Sequence, residues 1–205
     1  MSGALLPLFP LEVVLFPHAL LPLHIFEERY KQMIGECLKG GGPFGVVLCR
    51  GGERHEVGCS AEVSRLLRRF PDGRMNILTE GGRRFRLERP VEGTPYLRGE
   101  VEFFDDLPEL PDPELVRKAG ALYREVLRRS GLPTPTNAPF LDNPARLSFA
   151  IAANSTLSLE EKQGILEMRS PTRRLERLTA WLEEHLRGVV LAERRQRARK
   201  NGFPR

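Results

Sequence analysis

Cysteine is scarce in this chain: 205 residues hold three, at positions 37, 49 and 59. The count is odd and no CxxC spacing occurs, which argues against a disulfide framework or a zinc site built on paired thiolates. Long apolar runs are also missing. The opening stretch is interrupted by Pro7, Pro10, Glu12 and Pro17, and no positive segment precedes it. Neither a signal peptide nor a membrane span is expected, and the cytosol is the default compartment. The nearest approach to a phosphate-binding loop is Lys39-Gly40-Gly41-Gly42-Pro43-Phe44. It has no trailing Lys-Ser or Lys-Thr, and Pro43 removes a backbone donor. Neither GxSxG nor HExxH occurs. The histidines are His18, His24, His55 and His185, and no two share a metal-ligand spacing. His55 and Cys59 are four residues apart on a β-type segment, which separates them by about 13 Å. Nucleotide hydrolysis and metal binding are therefore not expected, and no cofactor is implied.

What is present reads as an ordinary globular protein. The hydrophobic fraction is 40% and the charged fraction 29%, enough to bury a sizeable core. The net charge of +5 is placed unevenly. From Leu191 onward stand Arg194, Arg195, Arg197, Arg199, Lys200 and Arg205 against Glu193 alone. Of 32 basic and 27 acidic residues overall, 26 of each therefore lie in residues 1–190, which are neutral. A basic tail of this kind is either a solvated helix end or a contact for an anionic partner.

The hydrophobic period changes along the chain. Up to about Asp106 it is mostly extended. Val13–Phe16 and Leu20–Ile25 are short apolar runs, and Phe44–Cys49 reads as a buried strand. Glu56–Phe70 is long and β-compatible. Pro71-Asp72-Gly73 predicts a turn, with Arg74–Thr79 returning antiparallel. Gly81-Gly82 predicts a second turn before Arg84–Glu88, and Tyr96–Phe104 a further strand. Many short strands with frequent turns point to a small barrel or sandwich. One helix interrupts them: Tyr30, Met33, Ile34, Cys37 and Leu38 form an amphipathic stripe that Gly40 ends.

From Asp112 the period is helical. Asp112 caps with Pro113 at the first position, and Leu115, Ala119, Leu122, Tyr123 and Val126 make one face. A Pro-rich loop follows Gly131, then Asn143-Pro144 opens a short helix. Ser158 with Glu161 forms a capping box, and Ser170-Pro171 starts the last helix through Leu175, Leu178, Leu182, Leu186 and Val189. The expected class is α+β, with strands in residues 1–108, a bundle of about four helices in residues 109–190 and a basic tail over residues 191–205.

Two apolar features stand outside these stripes. Phe103 and Phe104 are adjacent on a strand, so their rings go to opposite faces. Phe140 and Leu141 lie in the Pro-rich loop, where no periodicity assigns them to a core. Either they plug the seam between the two halves or they meet a partner.

The run Leu6-Pro7-Leu8-Phe9-Pro10-Leu11-Glu12-Val13-Val14-Leu15-Phe16-Pro17, continued by Leu21-Pro22-Leu23-His24-Ile25-Phe26-Glu27-Glu28-Arg29-Tyr30, resembles the opening of the Lon N-terminal substrate-binding domain. Phe44-Gly45-Val46-Val47, Glu56-Val57-Gly58, Pro71-Asp72-Gly73 and Gly81-Gly82-Arg83-Arg84-Phe85 look like that family's later blocks, and the similarity runs to about Leu191. The resemblance implies a PUA-like β pseudo-barrel followed by a C-terminal helical bundle. It also implies a module that binds unfolded or partly folded polypeptide and leaves ATP hydrolysis and proteolysis elsewhere. On this reading the chain is not an enzyme, works in protein quality control, and has a separate ATPase or protease as a further partner. Phe103, Phe104, Phe140 and Leu141 are the candidate polypeptide contacts. The competing reading is RNA or DNA binding through the basic tail. The balanced charge of residues 1–190 argues against an extended basic groove.

Overall fold

The computed structural model describes residues 4–91, 95–131 and 143–201, with side chains described as far as Ala192. It is a mixed α+β structure with six strands and five helices among the described residues. The chain divides into two compact units. One comprises Met1–Leu107 with Ala152–Arg169, the other Pro108–Ile151 with Ser170–Arg205.

In the first unit, β1 (Ala4–Leu11) pairs parallel with β3 (Phe44–Arg50) and antiparallel with β6 (Arg98–Phe104). β3 pairs with β4 (Glu53–Arg69), β4 with β5 (Met75–Val91), and β5 with β6, all antiparallel. The pairings β1–β3–β4–β5–β6–β1 therefore close a ring. β2 (Leu20–Ile25) stands outside it, against the first half of β5 only. Leu6, Leu8, Val47, Phe85, Leu87 and Val101 form a buried core cluster. Phe85 fits because Gly45 and Gly58 yield to it: a Cβ on either would come within 2.6 Å of the ring.

Three details of this unit depart from the sequence reading. β1 is a strand that includes Pro7 and Pro10, whereas Val13–Phe16 is not a strand, although Val14, Leu15 and Phe16 are buried. β5 runs straight through Gly81-Gly82 instead of turning there. These glycines clear space: a Cβ on Gly81 would stand 2.1 Å from the Phe16 carbonyl oxygen, and one on Gly82 2.7 Å from Ser60 Oγ. Helix α1 (Glu28–Gly40) buries Tyr30, Met33, Ile34 and Cys37 as expected, and Phe9 stacks on Tyr30 at 4.0 Å. Its left-handed terminating residue is Gly41, whose N–H donates to the Cys37 carbonyl. The turn at Pro71-Asp72-Gly73 forms as predicted, with Gly73 at φ 83°.

Helix α4 (Leu159–Glu167) belongs to the same unit. Its Ser158–Glu161 capping box is formed. Gln163 Nε2 donates to the Val57 carbonyl at 3.0 Å, which ties the helix to β4. The bundle expected of the second half therefore lacks this helix. In the second unit, α2 (Pro113–Arg129) starts at the predicted cap, with Asp112 Oδ1 accepting from Glu114 N. It packs on α5 (Pro171–Asn201), with Lys118 paired to Glu183 at 2.6 Å. Helix α3 (Pro144–Ala153) supplies Ser148, which accepts from the buried Arg174 of α5 at 3.0 Å, and Phe149, whose ring the Arg174 guanidinium covers. Leu175, Leu178 and Leu182 are fully buried, as their spacing predicts.

Candidate functional site

Among the described residues no group of His, Cys, Asp and Glu is arranged to hold a metal. Cys59 is buried, and that burial pushes its thiol up to about 12, so it is not a nucleophile at neutral pH. His55 lies 3.8 Å from Glu167 on an exposed surface. One polar cluster joins Glu36, Tyr96 and Arg98, where Tyr96 donates to Glu36 and Arg98 Nη2 reaches the Tyr96 oxygen at 2.6 Å. The Tyr96 hydrogen bond holds Glu36 below the usual carboxylate range, and burial raises Tyr96. Both shifts oppose proton transfer between the two at neutral pH.

The feature that calls for a partner is apolar. Along β5, Met75, Ile77 and Thr79 point inward and are buried, so Asn76, Leu78 and Glu80 point outward. Register carries this alternation to the neighbouring strands. Leu20, Pro22 and His24 of β2 lie opposite Glu80, Leu78 and Asn76, on the outer face. Glu62, Arg65 and Arg68 of β4 lie opposite the same three residues on the other side. Leu20 is 61% exposed, and Phe26, just beyond β2, is 60% exposed. Pro22 is exposed and Leu78 half-buried between them.

The hairpin end of this face carries an aromatic group. His24 is held by Asn76 at 2.6 Å, stacks on Phe26 at 5.9 Å and meets the edge of Phe70 at 6.1 Å. Arg68 and Arg74 cover Phe70 at 4.4 and 5.2 Å. Leu66 and Leu67, on the same arm, are also exposed. The outcome is an outward group of apolar residues on two strands, Leu20, Pro22 and Leu78, with Phe26 beyond His24, bordered by guanidinium groups. It is the candidate surface for contact with another macromolecule.

Of the residues nominated from sequence, Phe103 and Phe104 take opposite faces of β6, as strand geometry requires. Both are half-buried. Phe103 packs edge-on to Phe85 against the core cluster, with the Arg83 guanidinium 5.1 Å from its ring. Phe104 lies under Arg84 at 4.7 Å. Phe140 and Leu141 lie outside the described residues. Sequence reasoning passed over the β2–β5 face, although a signal was present. Leu20 to Ile25 is apolar at every position except His24, so a strand there cannot hide all its apolar groups on one side.

Residues 5–184 match the family model of the ATP-dependent protease La (LON) substrate-binding domain. The Lon protease of Desulfovibrio desulfuricans is 30% identical over 219 residues, covering 97% of this chain and 24% of that protein. The Lon protease of Escherichia coli K12 is 27% identical over 208 residues, covering 95% of this chain and 26% of that protein. The chain thus spans about a quarter of the length of these relatives. The crystal structure of a Lon N-terminal domain protein from Xanthomonas campestris superimposes with a TM-score of 0.70 at 31% identity, over 87% of this chain and 98% of that one. The N-terminal domain of the Mycobacterium avium complex Lon protease shares the fold, with a TM-score of 0.69 at 17% identity, over 89% of this chain and all of that one.

Proposed function

This chain belongs to the ATP-dependent protease La (LON) substrate-binding domain family, and on that premise we propose that it binds unfolded or partly folded polypeptide without hydrolysing it. The observation that carries the reading is the outward apolar group of exposed Leu20, Pro22 and Phe26 with half-buried Leu78. An unfolded client offers scattered apolar side chains, so contact rests on area removed from water, about 25 cal/mol per Å². Ordering a flexible client offsets much of that gain, and the affinity is modest. Phe104 and the loop pair Phe140 and Leu141 are secondary contacts in this reading. The closed ring of strands supports a PUA-like pseudo-barrel, to which α4 is attached, and the α2–α5 pair supports a helical part. A separate ATPase or protease acts on what the chain holds, in the setting of protein quality control.

The test is a titration with a permanently unfolded protein at low and high salt. It compares the intact chain, Leu20→Ser with Leu78→Ser, Phe140→Ser with Leu141→Ser, and a form ending near Val190. The reading expects binding that responds little to salt and weakens about tenfold in the β2–β5 variant. Binding abolished by removing the tail, and steeply salt-dependent, would replace it with an anionic partner such as RNA or DNA.

A further inference from the structure

The outer β2–β5 face is charged asymmetrically, and Arg65, Arg68, Glu62 and Glu80 on it have no ion pair among the described residues. Arg65 lies in register with Leu78 and Pro22, and Arg68 with Asn76 and His24. Both arginines are exposed, and neither makes an ion pair or hydrogen bond among the described residues. Arg68 contacts the Phe70 ring, which leaves its N–H groups free. The adjacent Arg74 differs, because Asp72 Oδ2 lies 2.6 Å from its Nε and neutralises it. Arg69 faces the opposite side of the arm, opposite Met75.

The far end of the face has the reverse character. Glu62 lies directly opposite Glu80, and Leu20 flanks them on β2. These carboxylates have no ion-pair partner among the described residues either, and like charges placed opposite each other repel. From Glu80 to Asn76 along β5 is about 13 Å, the length of four extended residues. From one end to the other the rows are therefore Leu20 with Glu80 and Glu62, then Pro22 and Leu78 with Arg65, then His24 and Asn76 with Arg68, so the charge beside the apolar residues changes from acidic to basic along the face.

We propose that the client segment preferred by this face is an extended apolar stretch of about four residues with an acidic residue at one end only. The proposal rests on the polypeptide-binding reading and adds the chemistry of the client. The carboxylate meets Arg65 and Arg68, the apolar residues cover Leu78, Pro22 and Leu20, and the uncharged end meets Glu62 and Glu80. A nucleic acid fits less well, since a chain of phosphates laid along the strip would carry charge onto the two glutamates.

The experiment uses fluorescent peptides of equal length and apolar content, titrated with the full chain at about 50 and 500 mM salt. One peptide has an acid at one end, one is uncharged and one has acids at both ends. A labelled oligothymidine is included. At low salt the singly acidic peptide is expected to bind about tenfold tighter than the uncharged one, from two exposed ion pairs of about threefold each. That advantage disappears at high salt and in Arg65→Gln with Arg68→Gln, whose exposed side chains leave the fold intact by circular dichroism. The doubly acidic peptide falls back toward the uncharged one and recovers in Glu62→Gln with Glu80→Gln. Equal binding of the singly acidic and uncharged peptides at low salt overturns the inference while leaving polypeptide binding standing. Binding of no peptide overturns both. Oligothymidine that binds more tightly than any peptide, and is lost in the arginine variant, overturns the inference in favour of nucleic acid.

Discussion

Replacing Arg84 with Ala tests what holds α4 against the strands of its own unit. The Arg84 side chain is 3% exposed and sits where β5 passes Gly82. Its Nη1 donates to the carbonyls of Leu166 at 2.9 Å and Met168 at 2.8 Å, the last turn and cap of α4. Its Nη2 donates to Asp106, and the guanidinium plane lies 4.7 Å from the centre of the Phe104 ring. Alanine leaves two carbonyls and a largely buried carboxylate without this donor. Removing one member of a buried ion pair costs about 3–5 kcal/mol, far more than an exposed pair, because the remaining charge stays desolvated. A loss of this size lowers the melting temperature by about 6–20 °C in a chain of this length. Arg84→Lys recovers only part of it, since one ammonium cannot span two carbonyls and a carboxylate as the planar fork does. The assay is urea unfolding followed by far-UV circular dichroism, with hydrogen exchange of residues 159–167 as the local readout. A loss below about 1 kcal/mol with unchanged exchange would refute the reasoning, because it would mean that the carbonyls find water or other donors without rearrangement.

Leu182→Ala should cost about 2–5 kcal/mol in urea unfolding, because Leu182 is fully buried. Gly81→Ala should destabilise by about 3 kcal/mol or more, because the new methyl would meet the Phe16 backbone oxygen rather than a movable side chain; melting temperature checks it. In the native state at pH 8, a thiol reagent should label the half-exposed Cys49 first and reach Cys59 only on unfolding, since burial raises the Cys59 thiol to about 12. Glu109 is held below the usual carboxylate range by hydrogen bonds from Ser170 and the Thr172 amide. It therefore contributes stability above the ordinary carboxylate pKa that is lost as pH falls through the lowered value. Glu109→Gln should flatten that acid-side loss in melting temperature measured between about pH 5 and pH 3.

Much of this fold is visible in local pattern because local rules fix it. Asp112 before Pro113, Ser158 with Glu161 and the leucine steps of α5 each satisfy a helix on their own terms, and each forms where it was expected. The misreadings arise where a distant segment overrides the local signal. The apolar runs read from sequence begin at Val13 and include no strand over residues 4–11, yet β1 pairs with both β3 and β6. Gly81-Gly82 has the composition of a turn, but the glycines are needed because the Phe16 carbonyl and Ser60 hydroxyl occupy the space of a side chain. The attachment of α4 to the strands depends on Gln163 reaching Val57 and Arg84 reaching the end of the helix. These separations, 106 and 82–84 residues, leave no periodic trace.

The candidate site fails to stand out in the sequence for a different reason. Aromatic pairs such as Phe103-Phe104 draw attention because they are large, but size alone does not say which surface remains uncovered. In the structure Phe103 is committed to the core cluster, and Phe104 lies against a guanidinium. Leu20 and Pro22 are more open than either, with Leu78 half-buried beside them, and their outward direction follows only once β2 is seen to pair with β5 alone. A strand that is apolar on both faces can turn only one of them to its own core. In β2 the inner side packs around the buried Ile25, while Leu20 is 61% exposed on the outer side. On the proposed reading, a client that supplies both apolar contact area and negative charge accounts for the apolar face and for Arg65 and Arg68 beside it, which have no ion pair among the described residues.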